Sequence, residues 1–330
     1  MNDLSIPASV LPVFADVLTA AARIAPHAHV TPVMRSRSLD ALAGCELHFK
    51  CEHLQRIGAF KFRGACNAVF ALGDAQAARG VVTQSSGNHG AAIALACRLR
   101  GIAASVVVPE GAPAVKLAAI ESHGARIVRC APNMRARDAA AAVLLAETGG
   151  ALIHPFDNND VIAGQGTAAL ELLREAALDA VLVPVGGGGL LSGTAIAAQA
   201  MRAGIDVWGA EPTGAADAHA SLRDDRCITD MTAQTVCDGL RGHLAPRTFA
   251  ILRERANGIL LVEDDATVRA MRLLWERLKV LVEPSAAVAF AAVLNHRERF
   301  AGRRVGIVLS GGNVDLDGLP SLFAMASPDR

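Results

Sequence analysis

Val183-Pro184-Val185-Gly186-Gly187-Gly188-Gly189-Leu190 is the stretch that decides the fold class. A short apolar run enters four glycines and leaves into a second apolar stretch, the order of a strand, a tight turn and a helix start. Without Cβ atoms such a turn lets backbone N–H groups approach an anion, and the helix N-terminus adds favourable partial charge. A phosphate suits it; so does plain close packing of helix on strand. Neither GxxxxGK[ST] nor GxGxxG spacing is present, which weakens nucleotide binding.

The same strand-turn-helix grammar recurs on either side. Val81-Val82-Thr83 leads through Gln84-Ser85-Ser86-Gly87-Asn88-His89-Gly90 into a helix predicted from Ala91 to Arg98. Ser105 to Val108 reads as a strand ended by Pro109, with a helix expected from about Ala114 to Ser122. Ile127-Val128 starts a third unit, its helix predicted over Arg137 to Glu147. Val181 to Val185 and Val305 to Leu309 read as buried parallel strands, each ending in glycines. The expectation is an α/β protein of two open-sheet lobes sharing a cleft. Residues 74–153 would form the smaller lobe, and residues 1–73 with 154–330 the larger.

Composition excludes several classes. Formal net charge is zero and tyrosine is absent, so neither an electrostatic footprint for nucleic acid or anionic membrane nor a set of base-stacking platforms is offered. The 7 cysteines are scattered with no CxxC pair, which argues against a disulfide framework or zinc site and for a reducing cytoplasm. Val181 to Met201 carries no charge and is long enough to span a bilayer. Its glycines and Pro184 argue for buried strand, turn and helix instead. No appended regulatory domain is expected after Leu319.

Ala59-Phe60-Lys61-Phe62-Arg63-Gly64 carries the chemical signal. Only Lys50, Lys61, Lys116 and Lys279 remain among 32 basic residues, the others being arginine. Arginine stays protonated, whereas a desolvated lysine can lose its proton and attack a carbonyl, so each surviving lysine is a candidate for chemistry arginine cannot do. Ser85-Ser86-Gly87-Asn88-His89-Gly90 gathers hydroxyls, an amide and free N–H groups between strand and helix, a cradle for a carboxylate or an ordinary N-cap. Ser310-Gly311-Gly312-Asn313 is a third strand-end loop, where open α/β sheets bind ligands.

Together these segments closely resemble the fold-type II pyridoxal-phosphate enzymes, in the serine/threonine dehydratase and serine racemase branch. The resemblance runs from about Thr31 to Leu319 and includes Ala163-Gly164-Gln165-Gly166-Thr167, Glu211-Pro212, Asp238-Gly239, Glu283-Pro284 and Ser310 to Asp315. It implies a homodimer with pyridoxal 5'-phosphate bound in the cleft. Lys61 would hold the cofactor covalently and take the α-proton of substrate, with Phe60 on one ring face and Gly239 leaving space on the other. Backbone N–H groups of Gly186, Gly187, Gly188 and Gly189 would hold the phosphate, Asn88 the ring hydroxyl oxygen, and Ser310 would face the ring nitrogen. Ser85, Ser86 and His89 would anchor the substrate carboxylate, with Arg137 approaching it.

The implied reaction is β-elimination from L-serine, L-threonine or a similar hydroxy amino acid, giving a 2-oxo acid and ammonia. A neutral hydroxyl at Ser310 leaves the ring a weaker electron sink than an aspartate would, which favours expelling a β-substituent. Two alternatives follow from the same resemblance. Ser86 matches the serine that faces Cα opposite the lysine in racemases, so a serine or aspartate racemase is one; an L-threo-3-hydroxyaspartate dehydratase is the other, with Arg137 or Arg241 meeting the second carboxylate. Glu211, Ala215 and Asp217 match a divalent-cation site of some members, suited to Mg²⁺, Ca²⁺ or Mn²⁺. The chain departs from the pattern at Ala59, where many members have serine, and at Gly242-His243, where racemases carry a serine near the substrate.

Overall fold

The computed structural model describes residues 10–85, 87–112 and 114–326. Two sheets are present. The larger contains β1 (Val33–Met34), β2 (Glu46–Lys50), β7 (Ala180–Pro184), β8 (Asp206–Pro212), β9 (Gly258–Val262) and β10 (Arg304–Val308), in the order β1-β2-β10-β7-β8-β9. The smaller contains β3 (Val81–Gln84), β4 (Ala104–Pro109), β5 (Arg126–Cys130) and β6 (Ala151–Leu152), in the order β5-β4-β3-β6. All pairings are parallel except β1 with β2, an antiparallel edge absent from the sequence reading.

Alternation of side chains along each strand explains the layers. On β7, Ala180 and Leu182 face a core built by the helices Asp264–Leu273 and Pro284–Asn295. Val181 and Val183 face the opposite way, onto Leu190, Leu191 and Ala195 of the helix Gly189–Met201 and Leu172 of the helix Asn159–Glu175. In the smaller sheet, Val106 and Val108 pack on Leu117 and Ile120, while Val82 and Val107 pack on Ala141 and Leu144. A strand covered on both faces must be apolar throughout, which is why Val181 to Val185 mimics a membrane segment. Among the described residues no helix is long and apolar enough to cross a membrane.

Two helices begin earlier than predicted. The helix after β3 starts at Asn88, not Ala91, so Asn88, His89 and Gly90 form its first turn. The helix after β5 starts at Met134, because the Asn133 side chain accepts from the Ala136 N–H at 2.8 Å and caps it. Apolar periodicity marks where a helix buries a face, not where its backbone begins.

The lysine segment leads into the helix Lys61–Ala71, which lies against the helix Asn159–Glu175. A Cβ on Gly164 would come 2.6 Å from Gly64 Cα, so this part of the Ala163–Thr167 motif is a close helix crossing. Beside it sits a buried ion cluster. Arg63, with no exposed surface, donates to both oxygens of Glu52 at 2.7 and 2.8 Å and to both oxygens of Glu171 at 2.7 and 2.8 Å. Lys50 Nζ adds bonds to Glu171 and the Thr31 carbonyl, each at 2.6 Å. Burial alone would raise the Glu52 carboxyl, but the Arg63 guanidinium outweighs it and holds the group below its ordinary value. Removing one member of such a set strands its partners in low dielectric. Arg63→Met is therefore expected to cost about 3–5 kcal/mol, read as a lowered urea midpoint.

Candidate active site

Backbone pairing holds the lysine loop to the end of β10. The Phe60 N–H donates to the Ser310 carbonyl at 2.9 Å, the Gly312 N–H donates to the Gly58 carbonyl at 2.9 Å, and Ala59 bridges Gly311. Lys61 follows as the first residue of its helix, its Nζ donating to the Pro155 carbonyl at 3.1 Å and standing 5.2 Å from the Phe60 ring centre. Burial pushes the amine down to about 8, against the opposing pull of the Glu283 carboxylate. A lysine that loses its proton near neutral pH is a competent nucleophile and base.

Three loops meet beside it. The glycine turn caps the helix Gly189–Met201 with Gly188 at φ +84°, a conformation other residues adopt only with strain. A Cβ on Gly187 would collide with the Phe156 ring, one residue beyond the Pro155 carbonyl that holds Lys61. From the second loop, Asn88 donates to both Glu283 oxygens at 3.0 and 3.2 Å. Asn313 of the third loop donates to Asn88 Oδ1 at 2.9 Å and to the Ile57 carbonyl at 2.7 Å. Glu283 and Asn313 were legible only as motif members; the structure makes them the link between the loops. Burial, with Asp238 adding to it, pushes the Glu283 carboxyl up to about 7.

The remaining expected residues fall as follows. Ser85 Oγ accepts from the Gly87 N–H at 3.2 Å. His89 is buried, and neither ring nitrogen has a hydrogen-bond partner among the described residues. Burial and then the Lys61 charge hold its imidazole well below the ordinary histidine value, hence neutral. Ser86 lies outside the described residues. The Gly239 N–H donates to Ser285 Oγ at 3.0 Å, and Ser310 is buried at the end of β10. Arg137 lies on the helix Met134–Thr148, its Nε buried without a partner among the described residues. Arg241 is exposed and donates to the Thr235 carbonyl at 2.7 Å. The His154 Nδ1 accepts from the Asp157 N–H at 2.9 Å, and its imidazole feels the Lys61 charge.

Glu211, Ala215 and Asp217 lie together at the end of β8, all buried. Glu211 accepts from the Ala218 and His219 N–H groups, each at 2.9 Å. Burial pushes Glu211 up to about 8 and Asp217 up to about 6, and Asp217 Oδ2 has no hydrogen-bond partner among the described residues. Among the described residues no group of three or more His, Cys, Asp or Glu side chains is placed to hold an ion.

The chain belongs to the family of pyridoxal-phosphate dependent enzymes, whose family model matches residues 24–311. It is 46% identical to a serine racemase of Dictyostelium discoideum, over 93% of this chain and 97% of that protein. It is also 46% identical to an L-threo-3-hydroxyaspartate ammonia-lyase of Saccharomyces cerevisiae, over 96% of this chain and 97% of that one. The structure of maize serine racemase superposes with a TM-score of 0.92 at 43% identity, covering 95% of this chain and 97% of that one.

The residues present fit the family's cofactor. Lys61 pairs with a carbonyl, not a carboxylate, so its amine is available to an aldehyde, and the glycine turn opens a 13-residue helix whose N-terminus favours an anion. The free-amine fraction of Lys61 grows as pH rises through about 8. Imine formation between apoprotein and pyridoxal phosphate is therefore expected to accelerate over that range and to vanish in Lys61→Ala, followed by stopped-flow absorbance.

Proposed function

We propose that this chain is a hydroxy-amino-acid dehydratase, eliminating water from L-serine, L-threonine or L-threo-3-hydroxyaspartate to give a 2-oxo acid and ammonia. The observation that carries the reading is the Lys61 amine, depressed by burial and set among three strand-end loops. Bound pyridoxal phosphate supplies an electrophilic aldehyde and an electron sink for negative charge at Cα.

The chain's own residues do the rest. Lys61 anchors the group and then takes the α-proton. Gly186 to Gly189 hold the phosphate with backbone N–H groups, while Phe60 and Gly239 line the two ring faces. Asn88, oriented by Glu283 and Asn313, meets the ring hydroxyl, and the neutral Ser310 hydroxyl meets the ring nitrogen. Ser85, Ser86 and neutral His89 receive the substrate carboxylate, with Arg137 near it; a neutral imidazole beside Lys61 keeps a second positive charge away from the amine. Residues 74–153 close over the substrate as a unit, and residues 1–73 with 154–330 hold the cofactor. The active form is a cytoplasmic homodimer.

A racemase is the second reading. The 46% identity to the Dictyostelium discoideum serine racemase favours it, and Ser86 would supply the second proton at Cα. Incubation of the loaded enzyme with each hydroxy amino acid, scoring 2-oxo acid and D-isomer together, separates the two. Oxo acid in excess is expected; D-isomer in excess, lost in Ser86→Ala while oxo acid persists, would reverse the assignment.

The unpartnered Asp217 Oδ2 and the buried Glu211 support a structural Mg²⁺ (or Ca²⁺ or Mn²⁺) held by Glu211, Asp217 and the Ala215 carbonyl. At about 100 times its dissociation constant the ion adds about 2.7 kcal/mol of stability. Mg²⁺ is expected to raise the thermal midpoint of the wild type and to leave that of Glu211→Gln unmoved.

A further inference from the structure

A cation outside the apparatus described so far stands beside the same loops. Lys116 lies on the helix Ala114–Ser122, beside the smaller sheet, and its Nζ is ion-paired with Asp238 of the turn Asp238–Leu240, on the larger side. The end of its side chain also lies 3.9 Å from where a Cβ on Gly87 would stand. Its charge reaches the buried Glu283 as well. These neighbours place one ammonium between Gly87 and the turn that contains Gly239.

The pair is easily exchanged. The Lys116 and Asp238 side chains are 20% and 36% exposed, so water reaches the pair and screens it. Another carboxylate arriving at that place can replace Asp238 at little cost. Of the other cations described above, Lys50 and Arg63 are held in the buried cluster and Arg241 donates to the Thr235 carbonyl, while Arg137, its Nε unpartnered among the described residues, is assigned above to the first carboxylate. A lysine suits the exchange, since its three donors on a flexible stem swing between acceptors without the fixed fork of arginine.

We propose that Lys116 is a specificity-determining residue whose ammonium leaves Asp238 and binds the second carboxylate of a four-carbon dicarboxylic hydroxy amino acid. L-threo-3-hydroxyaspartate is the member of that class open to β-elimination. The inference rests on the dehydratase reading above. Serine and threonine bring no second charge and leave the Lys116–Asp238 pair intact, so the pair discriminates by charge and not by size.

The test uses the loaded enzyme as wild type, Lys116→Met, Lys116→Arg and Asp238→Asn, each checked for a native circular dichroism spectrum and cofactor band. The readouts are kcat/KM on L-threo-3-hydroxyaspartate and on L-serine, and inhibition by succinate, an unreactive four-carbon dicarboxylate. Lys116→Met is expected to lower the hydroxyaspartate-to-serine ratio roughly 10- to 100-fold, the worth of a hydrogen bond to a charged group. The loss should fall mainly in KM, with succinate weakened by a similar factor. Lys116→Arg should recover part of the ratio, and Asp238→Asn should tighten succinate by freeing the ammonium. If both substrates fall together in Lys116→Met and the ratio holds, the pair is only a clasp between lobes and the proposal is overturned. If the wild type turns over no hydroxy amino acid, the dehydratase reading fails instead. Succinate protection against thermal unfolding, compared between wild type and Lys116→Met, then decides the role of Lys116 by itself.

Discussion

The Arg63 guanidinium, closed between Glu52 and Glu171, is the constraint on which the rest of the structure depends. It lies two residues beyond Lys61 and joins three separate pieces of chain: the turn after β2, the helix Lys61–Ala71 and the helix Asn159–Glu175. Two cations and two carboxylates balance, so the charges can be buried together but not singly. A cluster of this kind tolerates little rotation of the helix that begins with Lys61. The nucleophile is thus fixed from behind by charge and from the front by backbone pairing with β10, while its own amine stays unburdened by a carboxylate partner.

That division matters for the chemistry. Lys50 lies inside the ion cluster, paired with Glu171 at 2.6 Å. Lys61 donates to a carbonyl, and burial outweighs the opposing pull of the Glu283 carboxylate. Two buried lysines eleven positions apart therefore have different partners, a carboxylate for Lys50 and a carbonyl for Lys61.

Much of this could be read in the sequence, and the limits of that reading have physical causes. Strand-and-turn units such as Val181 to Gly189 are local, and their periodicity and glycines suffice to place them. The first turns of the helices at Asn88 and Met134 were missed because the polar Asn88 and His89, and the capping Asn133, carry no apolar rhythm. The β1 edge was missed because two residues are too few to show alternation. In the site, Lys61 stood out by composition and the loops by their small polar residues. The contacts from Asn313 to Asn88, from Asn88 to Glu283 and from Lys116 to Asp238 span 225, 195 and 122 residues. Only the folded topology brings such partners together. Gly164 shows the reverse case: the motif was visible, but its service as the floor of a helix crossing was not.

The scarcity of lysine has a further consequence for a protein that must live with an aldehyde. Primary amines on its own surface are decoys, able to capture a reactive carbonyl before it reaches the cleft. Here Lys50 is sealed beneath other side chains, Lys116 is occupied by Asp238, and only Lys279 stands openly exposed. Surface arginines carry charge without competing for the carbonyl. The chain thereby offers an incoming aldehyde few wrong places to land.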